Sequence, residues 1–192
     1  MKNIFIACDT SDPKKVNKII KNTQFKIKGY RIGYKFGLEF FYSKNGRKFI
    51  EKLKVKNLWL DIKTFEIPNT SFAAIRSLRD LRNISYITVH MSGGLEMLKA
   101  VKKASKKYNK KLKVLGVTIL TSFTNSSIKK VGHTKSVKDL VRKQTLLAKT
   151  AKLDGIVCSV HEVKTIKKIS KRMEIITPGI RLKGDKSNDQ KR

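Results

Sequence analysis

Short apolar, β-branched runs recur along the chain, separated by longer stretches in which apolar residues return every three or four positions. The short runs are IFIAC (4–8), YRIGY (30–34), LWLDI (58–62), YITVH (86–90), VLGVTIL (114–120), GIVCS (155–159) and EIITP (174–178). Their length and β-branching predict strands. The longer stretches predict helices over 12–22, 94–108, 136–152 and 162–170. Asp12 is placed to cap the first of these, with Pro13 in its first turn. Gly93 and Gly94 are placed to shape the turn before the helix over 94–108.

Strand and helix alternate seven times without a long linker, which predicts a parallel sheet with crossover helices. An open doubly wound sheet and an eight-fold barrel both satisfy that pattern. No Gly-x-Gly-x-x-Gly follows the first strand. Polar residues instead recur at the carboxyl ends of successive strands: Asp9, Lys35, Asp61 with Lys63, His90, Thr121 with Ser122, Ser159 and Arg181. Convergence from many strand ends onto one face favours the TIM (β/α)8 barrel. The expectation is a single barrel domain over residues 1–192. The barrel is expected to lack its eighth βα unit in this chain, because the ending GDKSNDQKR reads as the middle of a loop.

Composition narrows the functional classes. No apolar run approaches a membrane span of about 20 residues, and the start MKNIFIACDTSDP lacks a signal peptide's long apolar region. A cytoplasmic protein is expected, with no membrane partner. Cys8 and Cys158 each end an apolar run and read as buried thiols rather than metal ligands. The net charge of +31 raises nucleic acid as a partner. However, the lysines are spread along helical stretches, without interleaved aromatics or zinc-finger spacing. Frequent Lys, Ile and Asn fit an AT-rich coding sequence. A positive field would in any case attract an anionic substrate.

The stretch WLDIKTFEIPNTS (59–71) sets Asp61, Lys63 and Glu66 within six residues, before a Pro-Asn-Thr turn. On an extended strand, residues two apart point to the same side. Asp61 and Lys63 are therefore expected to share the barrel mouth, the carboxylate holding the ammonium. Lys35, at the end of the second strand, faces the same space. Glu66 follows in the loop and is free to point elsewhere. An isolated Asp-x-Lys is equally well a structural ion pair at a strand end.

Several blocks in order carry a resemblance. ACDTSD, YKFGLEFF, LDIKTFEIPNT, VHMSGG, VTILTS, DGIVCSVHE and TPGIR…NDQKR together resemble the orotidine 5'-phosphate decarboxylase family over nearly the whole chain. The resemblance implies a dimeric barrel that converts orotidine 5'-phosphate to UMP and carbon dioxide without metal or cofactor, the last step of pyrimidine synthesis. It implies that Asp9 binds the ribose, that Lys35 contacts the ribose and pairs with Asp61, that Asp61 sits beside the substrate carboxylate, and that Lys63 protonates C6. Asn69 and Thr70 would lie in a substrate-contacting loop, Thr70 serving the partner subunit's site. Thr121 and Ser122 would meet the pyrimidine, and Arg181 and Gln190 the phosphate. The usual signature has aspartate where this chain has Glu66, an acid that in the family enters the neighbouring subunit's site. The family also continues into an eighth strand with a Gly-Arg, so a C-terminally truncated member is expected.

Two other readings compete. A metal-dependent sugar-phosphate decarboxylase or aldolase of the same superfamily shares Asp-x-Lys, but the IPNT and PGIR blocks oppose it. A basic barrel fragment that binds nucleic acid without chemistry would account for the charge alone. His90 reads as a hydrogen-bonded strand-end residue, His161 as the start of a helix, and His133 as a solvated loop residue. Their spacing suggests no metal site.

Overall fold

The computed structural model describes residues 2–179. Seven strands, all parallel, lie in sequence order: β1 (Lys2–Ala7), β2 (Tyr30–Gly37), β3 (Leu58–Thr64), β4 (Ile84–His90), β5 (Lys113–Val117), β6 (Gly155–Val157) and β7 (Glu174–Ile176). The helices are α1 (Pro13–Thr23), α2 (Leu38–Tyr42), α3 (Gly46–Lys52), α4 (Pro68–Ser77), α5 (Gly94–Tyr108), α6 (Asn125–Lys130), α7 (Val137–Thr150) and α8 (Val163–Ile169).

Local chemistry sets the helix boundaries. The Asp12 carboxylate accepts from the Lys14 amide at 2.8 Å, satisfying a donor left open at the start of α1. Helix α1 then buries Val16 and Ile20, one turn apart. Helix α5 buries Met97, Leu98, Val101 and Ala104, and the chain turns into it at Gly94 with φ 78°. Helix α7 is capped by Ser136 and buries Val141, Thr145 and Ala148.

The sheet curls, and side chains inside the curl show it. Phe5 of β1 meets Trp59 of β3 and Tyr86 of β4 edge-on, with ring centroids 5.2 Å apart in both cases. In a flat sheet β1 and β4 would stand about 14 Å apart, three strand spacings. Trp59, Tyr86, Leu115, Val117 and Val157 form this inner cluster, with Phe5, Leu120 and Ile176 against it. A larger cluster lies between the outer sheet face and the helices. No ladder joins β1 to β7 among the described residues.

Two expectations are corrected, and one stretch without an assignment is filled. The fifth strand ends at Val117, short of the expected Leu120, although the Thr118 amide still donates to the Val157 carbonyl of the neighbouring β6 at 3.2 Å. The segment between β2 and β3 holds two short helices that apolar spacing did not reveal. Pro68, Asn69 and Thr70 form the first turn of α4 rather than a loop, with Pro68 at the position where a missing N–H costs nothing.

Candidate active site

Strand ends at one mouth of the curled sheet bring four charged side chains together. Asp9 follows β1, Lys35 lies near the end of β2, and Asp61 and Lys63 lie near the end of β3. The Lys35 ammonium is 3.1 Å from Asp9 Oδ1 and 3.7 Å from Asp61 Oδ2. The Lys63 ammonium is 3.1 Å from the same Asp61 Oδ2. Signs alternate along the chain of contacts, Asp9–Lys35–Asp61–Lys63, so each lysine has an acid beside it. Asp61 is the most enclosed of the four at 13% side-chain exposure, whereas Lys63 is 33% exposed and Asp9 66%. Gly37, beside the array, leaves room there: a Cβ at that position would stand 3.7 Å from Asp9 Oδ1.

The backbone route to this arrangement differs from the expected one. Leu60 pairs with Ile87 and Thr64 pairs with Val89, so three residues of β3 face Thr88 alone. Lys63 sits in that bulge with φ 46°. Left-handed backbone at a lysine costs on the order of 1 kcal/mol, and bulges recur where a strand re-aims a side chain. Asp61 and Lys63 do share one space, but through this bulge rather than through two-residue alternation.

Thr88, which the sequence patterning did not single out, fills the facing position. Its hydroxyl donates to Asp61 Oδ1 at 2.9 Å, and its oxygen accepts the Lys63 amide at 3.0 Å. It is fully buried. A polar residue midway between Tyr86 and His90 on one strand face is the signal that could have found it.

The other expected residues lie on segments that follow β3 and β5. Glu66 is exposed, and its carboxylate accepts from the Ile67 amide at 2.9 Å. Asn69 and Thr70 are exposed on α4. Thr121 and Ser122 form a turn after β5, half-buried and exposed respectively. No hydrogen bond joins any of these five to the array among the described residues. Arg181 and Gln190 lie outside the described residues.

His90 caps the turn after β4, its Nδ1 accepting from the Ser92 amide at 3.3 Å. Burial, and then the charge of Lys63, push its pKa below the ordinary histidine value. Burial first, then Asp9, raise the Cys8 thiol to about 11, with Lys35 partly opposing, so it stays protonated and unreactive. Cys8 and Cys158 are both buried and form no disulfide. Among the described residues no three of His, Cys, Asp and Glu stand together as a metal site requires, and no helix is long and apolar enough to cross a membrane.

A curled parallel α/β sheet with acids and lysines gathered at its carboxyl mouth defines the class: a barrel with the layout of a barrel enzyme. Its sequence places it more closely. Residues 2–192 match the model of the orotidine 5'-phosphate decarboxylase / HUMPS family, and the chain belongs to that family. It is 40% identical over 195 residues to the orotidine 5'-phosphate decarboxylase of Buchnera aphidicola subsp. Baizongia pistaciae, covering 98% of this chain and 79% of that protein. Identity to the Malacoplasma penetrans enzyme of the same name is 35%, covering 100% and 82%. Among solved structures, the Lactobacillus acidophilus orotidine 5'-phosphate decarboxylase superposes with a TM-score of 0.85 at 29% identity, covering 94% of this chain and 82% of that one. The Methanocaldococcus jannaschii orotidine 5'-monophosphate decarboxylase, complexed with inhibitor BMP, gives 0.73 at 28% identity, covering 98% and 83%.

Proposed function

We propose that this chain decarboxylates orotidine 5'-phosphate to UMP and carbon dioxide, the last step of pyrimidine synthesis, the activity for which its relatives are named. The observation that carries the reading is the Asp61 carboxylate held between two ammonium groups at the sheet's carboxyl mouth. As carbon dioxide leaves, the electron pair of the breaking bond stays on C6, where resonance offers little relief. The Lys63 ammonium stabilises that charge and gives C6 its proton, leaving a neutral amine that solvent reprotonates. Asp61 stands beside the substrate carboxylate and fixes Lys63. Lys35 and Asp9 bind the ribose. Thr121 and Ser122 meet the pyrimidine, Arg181 and Gln190 the phosphate, and phosphate binding helps assemble the site.

Two copies complete each site in this reading, residues 1–192 of each forming one barrel domain. Phe65 and Ile67 flank Glu66 and are 63% and 65% exposed, and Leu38 and Tyr42 are exposed at the same end of the sheet. A second copy would cover these apolar side chains, with Glu66, Asn69 and Thr70 directed to the partner's site. Light scattering of the purified protein checks this: a dimer is expected, a monomer at micromolar concentration contradicts it.

Loss of orotidine 5'-phosphate absorbance, followed with and without a chelator, tests the reaction. Chelator-insensitive turnover is expected. The absence of both turnover and UMP binding would overturn the reading, and turnover abolished by the chelator would favour a metal-dependent relative.

A further inference from the structure

We infer that Thr88 is a positioning residue for the proton donor, an inference that rests on the decarboxylase reading above. Three β3 residues must be accommodated opposite one residue of β4, and Thr88 is that residue. Its single hydroxyl makes two bonds of different kinds. As a donor it occupies Asp61 Oδ1, which leaves Oδ2 as the oxygen facing the Lys63 and Lys35 ammonium groups. As an acceptor it takes the Lys63 amide, a donor the bulge has removed from the β3–β4 ladder. The same atom therefore fixes the carboxylate's rotation and holds the lysine backbone at φ 46°. Full burial shields both bonds from water, which would otherwise replace them. Thr88 touches neither reacting atoms nor substrate. It acts through Asp61 and Lys63, and a shift of about 1 Å at such groups costs on the order of 100-fold in rate.

Thr88→Val keeps the side chain's shape and removes both bonds. The expected result is a fall in kcat of about 10- to 100-fold, with KM for orotidine 5'-phosphate and Kd for UMP within about 3-fold of the parent. Thr88→Ser, which keeps the hydroxyl, is expected to retain most of the parent's kcat. If Thr88→Val does not fold, Thr88→Ala against Thr88→Ser isolates the hydroxyl in the same way. A kcat within about 3-fold of the parent for Val or Ala, or an equal loss in Ser, overturns the inference. A parent without turnover would sink the decarboxylase reading instead. In that event a crystal structure of the valine variant decides the matter for Thr88. Separation of the Lys63 ammonium from Asp61 beyond roughly 4 Å, the limit of an ion pair, or loss of the left-handed Lys63, supports the inference. An unchanged array overturns it.

Discussion

The two ends of the curled sheet carry similar side chains to different ends. At the carboxyl mouth, Asp9, Lys35, Asp61 and Lys63 join the first three strands, and Thr88 adds the fourth. At the opposite end, the Asn3 amide donates to the Tyr86 hydroxyl at 3.0 Å, and that hydroxyl donates to Glu174 Oε2 at 2.9 Å. Lys113 pairs with Glu174 Oε1 and lies 5.4 Å from the Tyr86 ring centroid. This floor network links β1, β4, β5 and β7, strands that no single ladder brings together. In the floor both Glu174 oxygens are occupied, and none of these four residues is held in left-handed backbone. In the mouth, a carboxylate 13% exposed accepts two ammonium groups, and one lysine sits in left-handed backbone to reach it. Floor contacts of this kind stabilise a curl, while the mouth places charge where a ligand can arrive. That division matches barrels generally, whose carboxyl face carries chemistry and whose amino face carries stability.

Substitutions at the two ends should therefore separate activity from stability. The largest effect is expected from Lys63→Ala, which removes both the cation and the proton donor. The decarboxylation rate should fall by about 1,000-fold or more while the melting temperature changes little. A residual rate within about 10-fold of the parent, no more than a single modest contact would explain, would break the comparison. Asp61→Asn should follow, with a loss of about 100-fold, because the two lysines lose the anion between them. Steady-state kinetics on both variants order the two effects.

At the floor the pattern inverts. Tyr86→Phe leaves Glu174 Oε2 and the Asn3 amide without their shared partner. It should destabilise by about 1 kcal/mol, lowering the melting temperature by roughly 2–4 °C, with kcat close to the parent's. A large loss of kcat with unchanged stability would make the floor part of the site. Tyr86 also bears on pH, since burial first, and then Glu174, raise its pKa above the ordinary tyrosine value. Its hydroxyl thus remains a donor to Glu174 well into alkaline solution.

The smallest effect is expected at His90. Its folded pKa is lowered, so below about pH 6.5 the unfolded chain takes up a proton that the folded ring refuses. Stability from the neutral ring is present above that value and is lost as pH falls from there toward the lowered folded pKa. An asparagine side-chain oxygen at this position could still accept from the Ser92 amide without titrating. His90→Asn should therefore flatten melting temperature against pH in that window. An unchanged slope would contradict the assignment.

How far the sequence reveals these features depends on the range of the interactions. Asp9, Lys35, Asp61 and Lys63 stand out because each follows an apolar run, and strand ends are where a parallel barrel collects polar groups. The bulge at Lys63 is invisible in LDIKT, because nothing there marks a break in alternation and the partner setting the register lies 25 residues on at Thr88. Pro68 was readable: proline in a first helical turn marked α1 at Pro13, and the same rule marks α4. The floor network was not readable. Tyr86 lies 83 residues from Asn3 and 88 from Glu174, and polar residues at strand starts look solvated until the curl brings them together.

In the proposed reaction Lys63, held by Asp61, protonates C6 as carbon dioxide departs. The most direct test is the conversion of orotidine 5'-phosphate in deuterium oxide, followed by proton NMR of C6 for the parent and for Lys63→Ala. The parent should give UMP deuterated at C6, and the variant should form UMP at least about 1,000-fold more slowly. Equal rates of UMP formation from the two proteins would contradict the role of Lys63 as the proton donor.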